Sequence, residues 1–472
     1  MSKPRSLHQA SRTTAKGHGR KKKKRTEEAV AKLPVLRPDA AGIDVGAEEL
    51  WVAVPEDRDE RPVRCFATFT NSVKVMIVWL QQCGIQTVAM ESTGVLWIPV
   101  YQMLEAAGIE VCLVNARHYQ NVAGKRTDVQ DCQWLQFLHS VGLLRASFRP
   151  EQAVCAVRVL VRQREQLVQM RSQHVQHMHK SLDQMNLKLH YVISDVVGAS
   201  GQRIVRSILA GERNPEVLAK LRERTIQATE EEIRESLVGD YREELLFALG
   251  QSFAMWEEYN RRVNDVEVEI EKYTAKLETK VELTVVAKLG KKRGKGRRCK
   301  PQTRHLANMR DLCHQKFGVD VCQITGMKRG GIAEVLIAEL GPDLSAFRSA
   351  SAFAAWLGLC PNHEISGGKI LSRKTKKIKQ PVAVAFRLAG QSLERGNHYL
   401  NRWYRSMKGR MGAPKAITAA AHRLARIFYY MVTRQVEFDE GVFAKNEKRM
   451  EERMRRNLEK RAAQLGFKLV AA

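Results

Sequence analysis

The sequence lacks the features that mark membrane and secreted proteins. It has no run of about 18 or more apolar residues, so it predicts no transmembrane helix. The N-terminus is basic, but no apolar stretch follows it, which excludes a secretory signal. Nine cysteines are scattered singly without a CxxC pair. This spacing argues against a disulfide framework and a structural zinc site, and it favours a reducing cytosol.

Acidic residues are also scarce relative to basic ones. The chain has 79 Lys and Arg against 51 Asp and Glu, a formal net charge of +28. Residues 1–25 contain ten Lys or Arg and no acid. An excess of this size predicts a polyanionic partner, usually nucleic acid, although a ribosome-associated or merely adhesive basic protein has the same composition. We interpret the first residues as a phosphate-binding arm that includes Lys21, Lys22, Lys23, Lys24 and Arg25.

The segment after this arm has the sequence pattern of a mixed α/β domain. Three short runs rich in β-branched and aromatic residues, AGIDVG, LWVAV and VRCFATF, predict three strands in a meander. A helix over 71–82, the strand IQTVAM, a helix over about 96–107 and the strand IEVCLV follow. The order β-β-β-α-β-α-β is that of the RNase H-like (RuvC-like) fold.

Beyond residue 150 the strand signal disappears and long helices are predicted. Two heptad-like seams predict a coiled-coil hairpin or a dimer interface, although an ordinary helical bundle fits as well. The first seam comprises Val161, Val168, Val175, Leu182 and Leu189, interrupted by Arg164 and Arg171, which weaken it locally. The second comprises Trp256, Tyr259, Val263, Val266, Ile270, Tyr273 and Leu277.

These patterns divide the chain into five predicted segments. They are a disordered basic arm (1–37), an RNase H-like domain (38–152), an all-α coiled-coil linker (153–315), an all-α domain with a helix-hairpin-helix (316–440) and a charged C-terminal helix (441–472). The linker contains a loop at 288–300 with eight Lys or Arg, suited to phosphate contact or simply to solvent. Its candidate nucleic-acid ligands are Lys291, Lys292, Arg293, Arg297 and Arg298.

Four carboxylates occupy positions that an RNase H-like sheet would bring together. Asp44 ends the first strand, Glu91 ends the fourth, and Asp128 and Asp131 share one face where a helix begins. Carboxylates gathered in this way repel one another unless divalent cations neutralise them. Hard oxygen ligands select Mg²⁺, or Mn²⁺, over zinc, and two such ions can drive phosphodiester displacement. Taken singly, Asp128 could merely cap its helix and Asp44 could be a turn residue.

The motifs IDVG, MESTG and GKRTDVQD, followed by the segment 323–369, resemble the insertion-sequence 110 family of DEDD transposases. The long helical insert looks closer to the insertion-sequence 1111-like subgroup. The resemblance implies catalytic and metal-binding roles for Asp44, Glu91, Asp128 and Asp131, with Lys125 and Arg126 near the nucleic acid.

The second matching region contains two further features. A Gly-containing turn resembles a helix-hairpin-helix that can hold a DNA phosphate, but Met327–Lys328 departs from the usual Gly-hydrophobic-Gly, so packing alone is an equal alternative. In ISGGK, Ser366 precedes two glycines in a predicted flexible loop with Lys369, Arg373 and Lys374 close behind. The residues alone favour a turn serine. The resemblance implies instead that Ser366 is the nucleophile of an RNA-guided serine recombinase.

The sequence and the resemblance together predict an Mg²⁺-dependent transposase or recombinase of an insertion sequence. The expected partners are donor and target DNA, a guide (bridge-type) non-coding RNA and further copies of the chain, as a dimer or tetramer, in the bacterial cytoplasm at the nucleoid and not in a membrane. A RuvC-like endonuclease cutting branched DNA by two-metal hydrolysis would need the four acids but not Ser366. A non-enzymatic basic scaffold would need neither.

Overall fold

The computed structural model describes residues 33–92, 94–115, 127–224, 226–282, 304–328, 330–372, 374–375 and 378–467. The chain forms two compact units that divide between Arg149 and Pro150. The first unit holds the strands near the N-terminus, and the second is largely helical. This division follows the predicted change from mixed α/β to helical texture. The five finer segment boundaries remain predictions.

Among the described residues of the first unit, five strands form one mixed sheet. They are β1 (Ala40–Val45), β2 (Glu49–Ala53), β3 (Val63–Ala67), β4 (Thr87–Glu91) and β5 (Glu110–Val114). The strand order is β3-β2-β1-β4-β5, with β1, β2 and β3 antiparallel to their neighbours in the meander and β4 parallel to both β1 and β5. The predicted element order is confirmed, and this mixed topology is compatible with an RNase H-like fold.

Helices cover both faces of this sheet: α1 (Thr70–Gln82), α2 (Trp97–Ala106) and α3 (Asp128–Ser140). In α1 the buried residues Val73, Met76, Ile77 and Leu80 recur at helical spacing, so one stripe faces the sheet. The main core lies between this stripe, Leu104 of α2 and the strand residues that point the same way. A smaller core on the opposite face joins the sheet to Leu135 and Leu138 of α3. The sheet is therefore the middle layer of three.

The second unit contains two long helices, α4 (Gln152–Gln184) at its start and α9 (Glu243–Ala275) further along the chain. They pack along each other, as the heptad pattern predicts. Val161 and Leu182 are buried on α4, and Trp256, Val263 and Ile270 on α9. Two seam positions were predicted wrongly. Leu189 lies in the next helix, α5, and Tyr273 is exposed while the adjacent Thr274 is fully buried.

The arginines inside the first seam do not weaken the pairing in the way the pattern suggested. The Nε of Arg164 donates to Glu267 of α9 at 2.8 Å, and a guanidinium nitrogen of Arg171 donates to Asn260 Oδ1 at 2.7 Å. Each arginine therefore connects α4 to α9 through a specific polar contact. Inward polar pairs of this kind select one register between two helices more effectively than apolar residues do.

Short helices pack on the far ends of α4 and α9 and build a separate apolar core with them, centred on residues such as Leu182, Ile204 and Phe253. They are α5 (Leu189–Val192), α6 (Ala199–Leu209), α7 (Pro215–Lys220) and α8 (Glu230–Ser236). The α7 and α8 helices begin at side-chain caps, Asn214 and Thr229, which accept backbone N–H groups of the first turn.

The remainder of the second unit packs around a cluster of aromatic rings, in which Phe353 contacts Phe386 and Phe428. Its helices are α10 (Arg304–Phe317), α11 (Gly330–Leu340), α12 (Ala350–Trp356), α13 (Pro381–Ser392), α14 (Tyr399–Met411) and α15 (Ala413–Arg434), with 3₁₀ turns at Val321–Gln323 and Glu440–Phe443. The charged C-terminal helix is confirmed as α16 (Ala444–Gln464), which buries no residue.

The all-α prediction for 316–440 was wrong at one place. Residues Glu364–Ser366 (β6) and Lys369–Ser372 (β7) form a two-stranded antiparallel hairpin. The connecting glycines, Gly367 and Gly368, have φ angles of +54° and +74°. Two consecutive positive φ angles twist a chain in the sense that suits a tight hairpin, so the glycine pair makes a turn and not a flexible loop.

A search of the described helices finds none with the length and apolar character that a bilayer crossing requires.

Candidate functional site

Asp44 and Glu91 lie side by side at one edge of the sheet. The β1 and β4 strands run parallel with Ile43 beside Met90, so the residues that follow, Asp44 and Glu91, end their strands at the same level. Ile43 and Met90 are fully buried in the core on one face. Because side chains alternate along a strand, Asp44 and Glu91 point to the opposite face, which α3 covers.

The glycine two residues before Asp44 decides how closely α3 approaches that face. A Cβ on Gly42 would lie 2.3 Å from the carbonyl oxygen of Cys132 and 2.3 Å from the backbone nitrogen of Gln136. Only a residue without a side chain permits this contact. The Gln136 amide also donates to the Ala40 carbonyl at 3.2 Å. The helix is thereby held directly against β1, with its first turn at the Asp44 end.

The first turn of α3 carries the other two predicted acids. Thr127 is the N-cap residue and its backbone N–H donates to Gln130 Oε1 at 3.4 Å, so Asp128 is the first helical residue and not the cap. Asp131 is one turn further and half-buried, whereas Asp128 is exposed. The interpretation of Asp128 as a capping residue is therefore wrong.

Asp44 lies within electrostatic reach of the other three acids. The pKa of Asp44 rises from 3.8 to about 6, first because the carboxyl is partly buried and then because Asp128, Asp131 and Glu91 repel its negative charge. Burial and three like charges within reach both disfavour the ionised form of this carboxyl, a combination that is typical of functional sites. The predicted constellation is thus assembled in the first unit.

The donor set fits a hard divalent cation better than zinc. It consists of carboxylate oxygens, which Mg²⁺ and Mn²⁺ prefer. The nearby Cys132 is no competing ligand, because burial raises the pKa of its thiol to about 12. Across the described residues, no three His, Cys, Asp or Glu side chains converge closely enough to form a ready-made metal cage. The four acids therefore lie within electrostatic reach of one another without being drawn together to ligand distance.

Ser366, in the second unit, is the last residue of β6 and is exposed beside the glycine turn. A Cβ on Gly367 or Gly368 would meet nothing within 4 Å, so open space surrounds the turn. Across the hairpin Ser366 pairs with Lys369, which is also exposed. Ser366 therefore lies beside a defined turn and is accessible to a large substrate.

Two transposase family models match the chain. One, described as "Transposase" of the DEDD type, covers residues 41–187 and includes all four acids. The other, described as "Transposase IS116/IS110/IS902 family", covers residues 321–404 and includes Ser366. The chain carries IS110-family transposase domains. These domains identify the chain as an enzyme, a DNA transposase or recombinase. No curated protein matches the sequence.

Most of the basic residues predicted to bind nucleic acid fall outside the described residues of the transposase. This holds for Lys21, Lys22, Lys23, Lys24, Arg25, Lys125, Arg126, Lys291, Lys292, Arg293, Arg297, Arg298 and Arg373. Lys369 and Lys374 are described and exposed: Lys369 lies opposite Ser366 across the hairpin, and Lys374 lies beyond β7, where its carbonyl accepts from the backbone N–H of Asn362. Lys369 is available to a phosphate at the hairpin.

The helix-hairpin-helix turn of the transposase makes packing contacts. Gly326 has φ +96°, and a Cβ there would lie 2.8 Å from the Ala389 carbonyl of α13. The Ser392 hydroxyl donates to the Gly326 carbonyl at 3.0 Å, and Met327 is buried. The position that departs from the usual motif therefore belongs to the core.

The histidines of α4 form ring stacks and not a metal site. His174 stacks on Tyr259 of α9 at 5.4 Å, and His179 stacks on His190 of α5 at 4.7 Å. In the described part of the chain these histidines belong to no group of three or more His, Cys, Asp or Glu side chains that could hold a metal ion.

Sequence reasoning missed the role of Gly42 and a buried polar pair at the other end of the sheet. His139 Nε2 lies 2.9 Å from the Thr87 hydroxyl, and burial, aided by Arg37, lowers the pKa of His139 to about 4. This neutral histidine joins α3 to β4. A glycine inside an otherwise apolar strand was the available signal for the close helix contact.

Proposed function

We propose that this transposase cleaves and rejoins DNA strands of an insertion sequence, using divalent cations held by Asp44, Glu91, Asp128 and Asp131. The observation that carries the proposal is the register of β1 and β4, which places Asp44 beside Glu91 on the face that α3 covers. The pKa of Asp44, raised to about 6 by burial and by repulsion from the other three acids, supports it. Such repulsion is relieved when a cation binds, so the acids are suited to hold Mg²⁺. Bound there, Mg²⁺ would supply charge stabilisation for phosphodiester displacement.

The residues of the chain have distinct tasks in this scheme. Asp44 and Glu91 provide oxygens from the rigid sheet, and Asp128 and Asp131 provide them from the first turn of α3. The close contact at Gly42 orients the helix, so the two sets are held in relation to each other without a loop between them.

The test is Mg²⁺-dependent cleavage of DNA carrying the ends of the element. Asp44→Asn, Glu91→Gln, Asp128→Asn and Asp131→Asn should each lower cleavage at least about 100-fold while the far-ultraviolet circular dichroism stays unchanged. Glu110→Gln, at the opposite end of the same sheet, is the matched control and should cleave normally. Cleavage at the normal rate by Asp44→Asn would disprove the metal site.

We further propose that Ser366 is the nucleophile, on the strength of its exposure, its place beside the glycine turn and the exposed Lys369 opposite it. Its Oγ would form a bond to a DNA phosphorus while the bond from phosphorus to a deoxyribose oxygen breaks. The serine proton is lost, and the departing oxygen becomes a free hydroxyl. The reverse reaction with a second strand end would rejoin DNA and release the serine.

A suicide substrate separates this step from simple hydrolysis. Wild-type protein should retain nucleotide on the peptide that contains Ser366, and Ser366→Ala should lose both adduct and recombination. Ser351→Ala, an exposed serine of α12, should behave as wild type. Cleavage that persists in Ser366→Ala without an adduct would instead support the branched-DNA endonuclease, which uses the acids alone.

Donor and target DNA, a guide RNA and further copies of the chain are proposed as partners. The net charge of +28 supports nucleic acid, and the resemblance to the insertion-sequence 110 family supports the RNA and a dimer or tetramer. The helical insert between the two matched regions supports the insertion-sequence 1111-like subgroup. Purification followed by RNA sequencing and mass photometry tests these assignments. If the purified protein carried no defined RNA, even as a nuclease-resistant fraction, the guide RNA would be excluded.

A further inference from the structure

Two consecutive helices of the second unit carry many cations and no acid. The α14 and α15 helices contain eight Lys or Arg and neither Asp nor Glu: Arg402, Arg405, Lys408, Arg410, Lys415, Arg423, Arg426 and Arg434. One face of α15 is fully buried through residues such as Leu424 and Phe428. The other face is left to solvent and has no role in the site described above.

That free face forms a groove of about 500 Å³. Its lining residues recur along α15 at spacings of three and four, so they form one stripe, and Trp403 of α14 closes the side. The stripe comprises Ala419, His422, Arg423, Arg426, Ile427 and Tyr430. The groove therefore combines two large rings with three groups that are or can become cationic.

The aromatic part of the groove is held in place by stacked arginines. The Arg423 guanidinium carbon lies 4.7 Å from the Trp403 ring centroid, and it also contacts Tyr399 and Phe443 at 5.1 and 5.0 Å. Arg434 lies 4.6 Å from the Tyr430 ring. These contacts fix the rings without covering them, since Trp403 is only half-buried and Tyr430 is 37% exposed. Rigid, accessible rings are suited to stacking on a planar group.

Arg426 provides a groove charge that no acidic side chain neutralises within the described part of the chain. Two other cations of these helices have acidic partners: Arg402 pairs with Glu447, and Lys408 lies 2.8 Å from Glu394. Arg426 is exposed and has no ion pair or hydrogen bond within the described part of the chain. Burial, together with the positive charge of Arg426, lowers the pKa of His422. The positive charge already present in the groove thus disfavours protonation of His422, and the same positive charge attracts an anion.

We infer that this groove binds an unpaired nucleotide of a single-stranded nucleic acid, with the base on Trp403 and Tyr430 and the phosphate at Arg426 and His422. The pairing of aromatic rings with the guanidinium of Arg426 favours a nucleotide over an acidic peptide, which would use the charge but not the rings. The inference rests on the proposed function, because strand exchange exposes single strands. It adds a strand-holding site in the second unit, apart from the four acids.

Fluorescence anisotropy on the full chain, in chelator so that no cleavage occurs, tests the groove. The probes are one labelled single-stranded sequence as DNA and as RNA, and the corresponding duplex. Trp403→Leu should weaken single-strand binding about tenfold, the effect of losing one base stack. Arg426→Gln should weaken it and lower the slope of log affinity against log salt by about 0.7, one phosphate contact. Duplex binding should change less than about twofold.

Lys415→Gln is the matched control, because it removes one exposed charge from the same helix outside the groove. It should change single-strand binding less than about twofold. An equal loss in Lys415→Gln and Arg426→Gln, or displacement of the strand by polyglutamate at equal charge, overturns the inference. A preference for DNA or for RNA identifies which strand is held, and either preference supports the site. If Trp403→Leu fails to fold, Arg426→Gln decides alone, since its side chain is exposed and unpaired among the described residues.

The two proposals fail in different ways. Normal strand binding by Arg426→Gln together with lost cleavage by Asp44→Asn rejects the groove and keeps the metal site. Weakened strand binding by Arg426→Gln together with normal cleavage by Asp44→Asn rejects the metal site and keeps the groove.

Discussion

The carbonyl oxygen of Cys132 lies 2.3 Å from where a Cβ on Gly42 would be. This contact joins the strand that carries Asp44 to the helix that carries Asp128 and Asp131, so a backbone approach sets the spacing of the acids.

Gly42→Ala should therefore move α3 away from β1 and lower cleavage at least about tenfold, because ligand positions shift by about 1 Å. Overpacking of this kind should also cost about 1–3 kcal/mol of unfolding free energy. Chemical denaturation and the cleavage assay measure the two effects. Gly409→Ala is the control, since no atom lies within 4 Å of its Cβ position in α14, and it should be slightly stabilising. Full activity in Gly42→Ala would show that α3 tolerates displacement.

Asp44→Asn should stabilise the metal-free protein at neutral pH. The folded-state pKa of Asp44 is about 6 against an ordinary 3.8, so the folded protein holds this proton more tightly than the unfolded chain. The ionised carboxylate therefore destabilises the fold increasingly as pH rises from about 4 to 6. The full shift corresponds to about 3 kcal/mol, which solvent screening of the partly exposed carboxyl reduces to about 2 kcal/mol. Thermal denaturation in chelator should show the Asp44→Asn variant melting at a higher temperature than wild type at pH 7.5, but at the same temperature near pH 4.

Mg²⁺ should reverse this difference, because it stabilises wild type by binding the folded state and has less to bind in the variant. Glu110→Gln should show neither effect. A melting temperature of wild type that is unchanged by Mg²⁺ would argue against cation binding by these acids.

His305 predicts a second pH dependence, in the second unit. Its Nδ1 lies 3.0 Å from Glu271 and its Nε2 2.8 Å from Glu334, with Arg164 and Glu267 close to the same glutamates. Burial lowers the pKa of His305, but hydrogen bonds and charge from the glutamates outweigh it, so the net pKa is raised above 6.5. Stability from this group is complete below about pH 6.5 and is lost as pH rises through the folded-state pKa.

Wild type should thus have a higher unfolding free energy than His305→Gln. This difference should be largest near pH 6 and should become smaller towards pH 9. Denaturant titrations across this range measure it. His398→Gln, whose exposed ring pairs with Glu440, should show a much smaller change. A gap that is constant with pH would mean that His305 acts only through packing.

Arg164 is predicted to matter more than an ordinary surface arginine. Arg164→Met would leave Glu267 without its cation and would remove one of the two partners of the buried Glu334, the other being His305, at a cost of about 3 kcal/mol. Arg261→Met breaks an exposed pair with Glu258 on α9 and should cost less than about 1 kcal/mol. Urea denaturation compares the two, and equal costs would show that the inward arginine contributes no more than a surface pair.

Local patterns in the sequence were sufficient to predict the mixed sheet and the positions of its acids. Alternating apolar residues and turn residues act over a few positions, and strand order then requires the ends of β1 and β4 to meet. Asp44 and Glu91 could therefore be placed together before any coordinates were considered. The two long helices were visible for the same reason, since heptad spacing is a property of neighbouring turns.

Contacts between distant segments were decided only by the tertiary structure. The pairing of Arg164 with Glu267 spans 103 residues, and helical periodicity contains no information about such partners. The glycine pair after Ser366 was taken for a flexible loop because its φ angles depend on the strands on either side. The stacking of Arg423 on Trp403 likewise depends on how α14 packs on α15. Sequence determined the elements and their acids, because these depend on local geometry, whereas packing decided which side chains pair, because that depends on distance in space.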